Sequence, residues 1–229
     1  MHLVENKNAM NDICIRLSPT RGSISVESYN PDGIISKKEI SEIDLYYALN
    51  QGYASAATTD SGFLPEHCLQ VSMNKLEKYY VLWNPELYAD ITYRNTEYLN
   101  FPIPRLVIGI RTLVSGKVIG CALGVVADEV PTPDTIMYRY PFSNVHADGN
   151  VCTGNIVLPR YKDPLRLKYF PRYLLGLPDN DDLFEQKNNK LGLSHKQLME
   201  HLKDKDPAYY YEHVLVPNGQ TLEDFMIWR

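Results

Sequence analysis

The stretch RLVIGIRTLVSGKVIGCALGVV, residues 105–126, decides the fold. Residues 105–113 and 117–126 are rich in β-formers, and Ser115-Gly116 between them is a turn pair, so two consecutive antiparallel strands are expected. Both runs are almost continuously apolar instead of alternating. Strands covered on both faces read this way, as do strands with a helix laid against one face. Cys121, inside the second run, reads as a small core filler. Upstream, Phe101-Pro-Ile-Pro104 has to be extended, because proline and the residue before it resist the helix. Residues 79–83 and 90–94 read as short strands. Downstream, Pro131 and Pro133 punctuate a crossing to a third strand over 134–140.

The flanks add helices. A hairpin is expected at the start, with strands over 13–17 and 23–29 around a Ser-Pro-Thr-Arg-Gly turn. Ser36 and Glu39 have capping-box spacing ahead of a helix with Ile40, Ile43 and Tyr47 on one face and Gly52 as its stop. After residue 160 the pattern is helical. Ser194 and Gln197 form a second box, with Leu198 and Leu202 on the apolar face, and Thr221 starts a last short helix ending near Trp228. Strands grouped between helices predict an α+β fold built on an antiparallel meander. The layout divides into an N-terminal extension over 1–75, hairpin plus helix packed on the core, and a core over 76–229 with C-terminal helices.

Composition excludes several classes of protein. The 229 residues are 44% hydrophobic and 22% charged, a balance that supports a buried core and does not describe a disordered chain. Four cysteines (Cys14, Cys68, Cys121 and Cys152) are too scattered for a disulfide scaffold, and no pair is spaced as a zinc ribbon or redox motif. Nothing calls for a metal or another cofactor. The start lacks the apolar stretch of a signal peptide, and the longest apolar run is half a membrane span, so a reduced, cytoplasmic protein without membrane partners is expected. A net charge of −5 argues against a nucleic-acid surface. The local exception is 160–172, where Arg160, Lys162, Arg166, Lys168 and Arg172 interleave with Tyr161, Tyr169 and Phe170. A solvated or protein-docking patch is the commoner outcome of such a composition.

The chemistry sits in 140–155, YPFSNVHADGNVCTGN. Asp148-Gly149 and Gly154-Asn155 are turn pairs on either side of Val151-Cys152. A thiol between two tight turns is harder to bury than one in a strand, and the exposed thiolate is the nucleophile. On the residues alone, the plainer reading of Cys152 is a small, half-buried loop residue.

The loop nevertheless resembles the active-site signature of ubiquitin-conjugating enzymes. There, a His-Pro-Asn triplet precedes a short loop with Asp-Gly or Asn-Gly, a small aliphatic residue and the cysteine. Asn144-Val145, Asp148-Gly149 and Val151-Cys152 match in type, and the eight-residue step from Asn144 to Cys152 equals the family's spacing. With the meander and the Phe101–Pro104 segment, the chain looks most like prokaryotic family D of these proteins, which includes the protein B of the PRTRC system. The specific resemblance covers 101–159. It departs from the signature at Phe142-Ser143, where His-Pro is usual, and at Thr153-Gly154-Asn155, where Leu-Asp-Ile is usual.

The resemblance implies a ubiquitin-conjugating-like fold. It also implies an acyl transferase that accepts a bacterial ubiquitin-like protein from a ThiF-like activating enzyme as a thioester on Cys152, then passes it to an amine. Asn144 would stabilise the oxyanion or brace the loop, and a JAB-type peptidase would belong to the same system. His146 is a candidate base by proximity. Arg166 and Lys168 are candidates for contacting the carrier or the activator. Two other classes stand beside this one: a catalytically inactive binding scaffold with the same fold, and a cysteine hydrolase pairing Cys152 with His146. The remaining histidines, His195 among them, show no ligand-like clustering.

Overall fold

The structure is a computed structural model that describes residues 12–18, 23–30, 33–56 and 62–227. The chain divides into two units, 1–60 and 61–229. In the first, β1 (Asp12–Ser18), β2 (Ser23–Asn30) and β3 (Gly33–Ile40) form an antiparallel sheet in chain order, followed by α1 (Glu42–Ala56). The expected hairpin is present, and its turn lies outside the described residues. Ser36 and Glu39 do not cap a helix, because both belong to β3 and pair with Ser28 and Ser25 of β2. The cap is Ser41, whose hydroxyl accepts from the Asp44 amide at 3.0 Å while the Asp44 carboxylate accepts from the Ser41 amide at 3.3 Å. Cross-strand pairing claims the first box, and the second, five residues on, starts the helix. The helix then runs through Gly52 to Ala56. Within the sheet, Glu27 takes a hydrogen bond from Tyr29 and ion pairs from Arg16 and Lys37 at 3.0 Å each. The Tyr29 hydroxyl and these cations hold its carboxyl down to about 2.

The second unit is built on a six-stranded antiparallel sheet. In chain order its members are β4 (Cys68–Met73), β5 (Glu77–Asn84), β8 (Leu106–Leu113), β9 (Val118–Val126), β10 (Ile136–Tyr138) and β11 (Pro217–Thr221). Their spatial order is β11-β10-β9-β8-β5-β4. A separate ribbon pairs β6 (Leu87–Tyr93) with β7 (Thr96–Ile103), and Phe101-Pro-Ile103 forms the end of β7. The β8–β9 register sets Ile108 opposite Leu123 and Ile110 opposite Cys121, so these side chains share one face. Helices α2 (Phe170–Leu175), α3 (His195–Leu202) and α4 (Tyr209–His213) cover that face with Phe170, Leu198, Met199 and Tyr210, all fully buried. On the opposite face, Val81, Val107, Val126 and Met137 make a second core with Leu222 of α5 (Leu222–Met226). The apolar runs are uninterrupted because both faces are covered. Each large aliphatic side chain buried there contributes roughly 1.5–3 kcal/mol.

Turn chemistry fixes the hairpin. Gly116 has φ +81°, and a Cβ there would run into the Tyr161 carbonyl, so glycine is required on two counts. The expected box at Ser194 with Gln197 is formed, and Thr221 starts a last helix as expected, with Asp224 completing a capping box that the sequence reading did not name; the expected end near Trp228 lies outside the described residues. Two features differ from expectation. The third strand is three residues long, because its pairing with β9 reaches only Met137 and Tyr138 and Pro141 has no amide to donate further. The outer strand β11 has no β-propensity signal, since Pro217-Asn-Gly-Gln-Thr221 is turn-like in composition and pairs only at an edge. No helix among the described residues is long and apolar enough to cross a membrane.

Candidate functional site

The segment after β10 is pinned first by Phe142. Its ring is 2% exposed and meets the rings of Phe101, Tyr140 and Tyr210 edge-on at 5.8, 5.4 and 6.2 Å. Such edge-to-face contacts suit the ring quadrupoles. The departure from His-Pro-Asn is thus a core anchor at the first position. Ser143, also buried, donates from its hydroxyl to the Asp179 carboxylate. Asn144 has φ +61°, a left-handed conformation that asparagine tolerates better than most residues.

From there a tight loop returns to the sheet. The amide of Gly149 bonds to the His146 carbonyl, and that of His146 to the Asn150 carbonyl, each at 2.9 Å. Gly149 has φ +89°, which the Asp-Gly turn demands. The Asp148 carboxylate accepts from the Asn150 amide and side chain, bonds that lower its pKa. The loop then joins β9: Leu123 donates to Gly149 at 2.8 Å and Val151 to Cys121 at 2.9 Å. Last, the Cys152 amide donates to the Asn144 carbonyl at 2.8 Å, closing the loop between the two residues.

Cys152 is an exposed free thiol. It lines a cleft of about 270 Å³ together with Asn144, against apolar walls from Ile91, Leu123, Leu174 and Leu175. Asp179, Asn180 and Asp182 form a polar rim. Tyr140 also lines the cleft, and burial, with the Asp179 carboxylate nearby, pushes its hydroxyl well up. The Asn144 side-chain nitrogen lies 2.9 Å from Asp179 Oδ1 and 3.4 Å from the Pro178 carbonyl. Its amide thereby ties the loop to the opposite wall, which is the bracing geometry.

The other candidates lie elsewhere. His146 is exposed and borders a separate small depression with Tyr138 and Asn218. Arg166 and Lys168 are exposed on a 3-10 turn, Pro164–Tyr169, which Asp163 caps and which leads into α2. The Lys168 ammonium is 3.8 Å from Glu66 and lies over the Tyr169 ring. Cys14 and Cys68 are partly exposed, and Cys121 is buried with its thiol pushed up to about 12 by desolvation. Among the described residues no cluster of three or more His, Cys, Asp or Glu is arranged to hold a metal ion.

Sequence reasoning missed His195. Its side chain is 1% exposed, with Nε2 3.4 Å from Asp179 Oδ2 and Nδ1 3.4 Å from Asp181 Oδ1. The ring stacks on Phe184 at 4.6 Å and 2°. The only signal was the acidic run Asp179-Asn-Asp-Asp182 ahead of the second capping box, and nothing local told that it folds back onto the box.

No curated protein and no solved structure matches the chain. The family described as prokaryotic E2 family D matches residues 45–218, from within α1 to within β11, and so takes in every residue of the cleft. With well over half its length matched and the cysteine loop inside the match, the chain belongs to the prokaryotic E2 family D.

Proposed function

We propose that the chain is a ubiquitin-conjugating-like acyl transferase with Cys152 as its nucleophile. The observation that carries this reading is an exposed thiol on a loop braced at both ends, lining a cleft with apolar walls. The Cys152 thiolate attacks the thioester carbonyl that joins a ubiquitin-like protein to a ThiF-like activating enzyme. A new C–S bond forms and the activator's thiolate leaves. A neutral amine then attacks the same carbonyl, the C–N bond forms, Cys152 leaves as thiolate and the amine's proton passes to water. The acidic rim of Asp179 and Asp182 suits an incoming ammonium. The Asn144 amide, committed to Asp179, acts first as a brace in this reading. It meets the oxyanion only by leaving that carboxylate. His146, turned to another depression, is left with at most a secondary part.

The six-stranded sheet with α2 to α4 on one face corresponds in this reading to a ubiquitin-conjugating-like core, preceded by the N-terminal unit as an extension. Arg166 and Lys168 stand exposed beside Tyr169, which is 56% exposed, next to the helix that walls the cleft. They form a docking patch for the carrier or the activating enzyme.

The test is charging with the cognate carrier, activating enzyme and ATP on non-reducing gels. The native chain should form an adduct that thiol reductants release. Cys152→Ser should form one that resists reductant but yields to alkali, and Cys14→Ser should behave as native. An adduct persisting in Cys152→Ala would sink the assignment. If no adduct forms while Cys152→Ala retains partner binding, the chain is a binding scaffold.

A further inference from the structure

His195 is expensive where it stands. Both ring nitrogens are buried with no hydrogen-bond partner among the described residues, and each faces a carboxylate oxygen at 3.4 Å. The cage around the ring is aromatic: Phe184 stacked at 4.6 Å, Tyr93 at 4.4 Å and Phe142 at 6.1 Å. An apolar ring would fill that cage without leaving buried nitrogens unpaired, so packing alone does not explain an imidazole. What an imidazole adds is a polar edge, with one ring nitrogen 3.4 Å from the Asp179 carboxylate and the other 3.4 Å from that of Asp181.

The two oxygens of Asp179 face different ways. Oδ1 accepts from Ser143 Oγ, from Asn144 Nδ2 at 2.9 Å and from the Asn180 amide at 3.2 Å, while Oδ2 faces His195. Its backbone is fixed to β6, with Asp179 donating to Thr92 and Arg94 donating to Asp179, both at 2.7 Å. The carboxylate therefore has one remaining freedom, rotation about its side-chain bonds, and His195 faces the oxygen that would swing. Asp181 completes the set. It takes the Tyr93 hydroxyl at 2.6 Å on the oxygen that faces the ring, and Arg94 pairs with its other oxygen.

We propose that His195 is a positioning residue for the cysteine loop. It holds Asp179 in the rotamer that keeps Ser143 and Asn144 in place, and through the Cys152-to-Asn144 backbone bond it holds Cys152. Its meaning for catalysis rests on the transfer reading above; its physical content does not.

Two measurements on the full chain test the proposal without any partner protein. The first is the NMR signal of the Asn144 side-chain amide. The second is hydrogen exchange at the Asn144 and Cys152 backbone amides, which bond to Asp182 and to Asn144. In His195→Phe the Asn144 side-chain signal should move. Both amides should exchange about tenfold faster, as expected when the polar contact between the imidazole and the Asp179 carboxylate no longer opposes local opening. The Val118 amide, bonded to Pro159 away from the loop, should stay as native. Asp179→Asn should have at least as large an effect, and adding His195→Phe to it should change nothing more. His195→Gln, which still presents N–H donors, should restore the native values. If His195→Phe does not fold, His195→Asn, too short to reach Asp179, takes its place. An unmoved signal with native exchange in the folded variant would overturn the proposal, and so would His195→Gln behaving like His195→Phe. Neither result bears on whether Cys152 is charged, so the two readings fail separately.

Discussion

Cys121 and Cys152 are coupled by a single backbone bond, from Val151 to the Cys121 carbonyl, yet their thiols occupy opposite environments. Cys121 points into the main core opposite Ile110, and desolvation pushes it up to about 12. Cys152, one residue past the coupling bond, is exposed at the cleft. A strand side chain in register with its neighbours has its face chosen by the sheet. A side chain just beyond two tight turns is placed by the turns and by whatever braces them. Reactivity follows from that difference in what holds the backbone.

The largest expected effect is in labelling. With its thiol near 12, Cys121 has on the order of 10⁻⁴ of its population as thiolate at pH 8, and burial blocks access as well. Iodoacetamide followed by peptide mass spectrometry should modify Cys152 in the folded chain and Cys121 only in denaturant. Labelling of Cys121 without unfolding would break the contrast. Next comes the anchor that separates the loop from the core. Phe142→Ala should destabilise the second unit by about 3–5 kcal/mol in urea melts, because the ring's neighbours cannot all collapse onto the space it leaves. Serine substitution sharpens the comparison directly. Cys121→Ser should lower stability by about 1–3 kcal/mol, a hydroxyl buried among apolar groups, whereas Cys152→Ser should stay within about 0.5 kcal/mol of native.

The buried thiol of Cys121 should also show itself in alkali. A thiol whose folded pKa is raised favours the folded state while protonated, so its contribution is complete below the ordinary value of 9.0 and fades as pH climbs toward 12. Cys121→Ala should therefore flatten the loss of stability between those pH values. The smallest effect is at the turn. Gly149→Ala, forced to φ +89°, should lower stability by about 1 kcal/mol and loosen exchange at the Cys152 amide.

The paired strands were legible because an apolar run with a Ser-Gly turn leaves few alternatives. So was the box at Ser194 with Gln197, which rests on short-range chemistry, whereas the residues alone favoured a half-buried Cys152 and the thiol is exposed. The box at Ser36 and Glu39 was misleading for the same reason: a local signal lost to pairing with β2, a contact that no window of a few residues contains. β11 was silent, since an edge strand needs no propensity when the next strand supplies the bonds. The support of the site was hidden most deeply. Asn144, Asp179 and His195 are far apart in the chain, and neither an aspartate run nor a helix-start histidine announces that the two meet beneath a loop.

The way the loop joins β9 has a consequence for solubility. β10 covers β9 only at Val125 and Val126; beyond it, the Asn150 bridge to Ala122 and the Arg160 bridge to Lys117 occupy the rest of that side. The cysteine loop is thus also the guard on an apolar strand edge, which if bared would template the addition of another chain. Any change that frees the loop to move farther uncovers that edge, so the loop's freedom is bounded by the protein's need to avoid self-association.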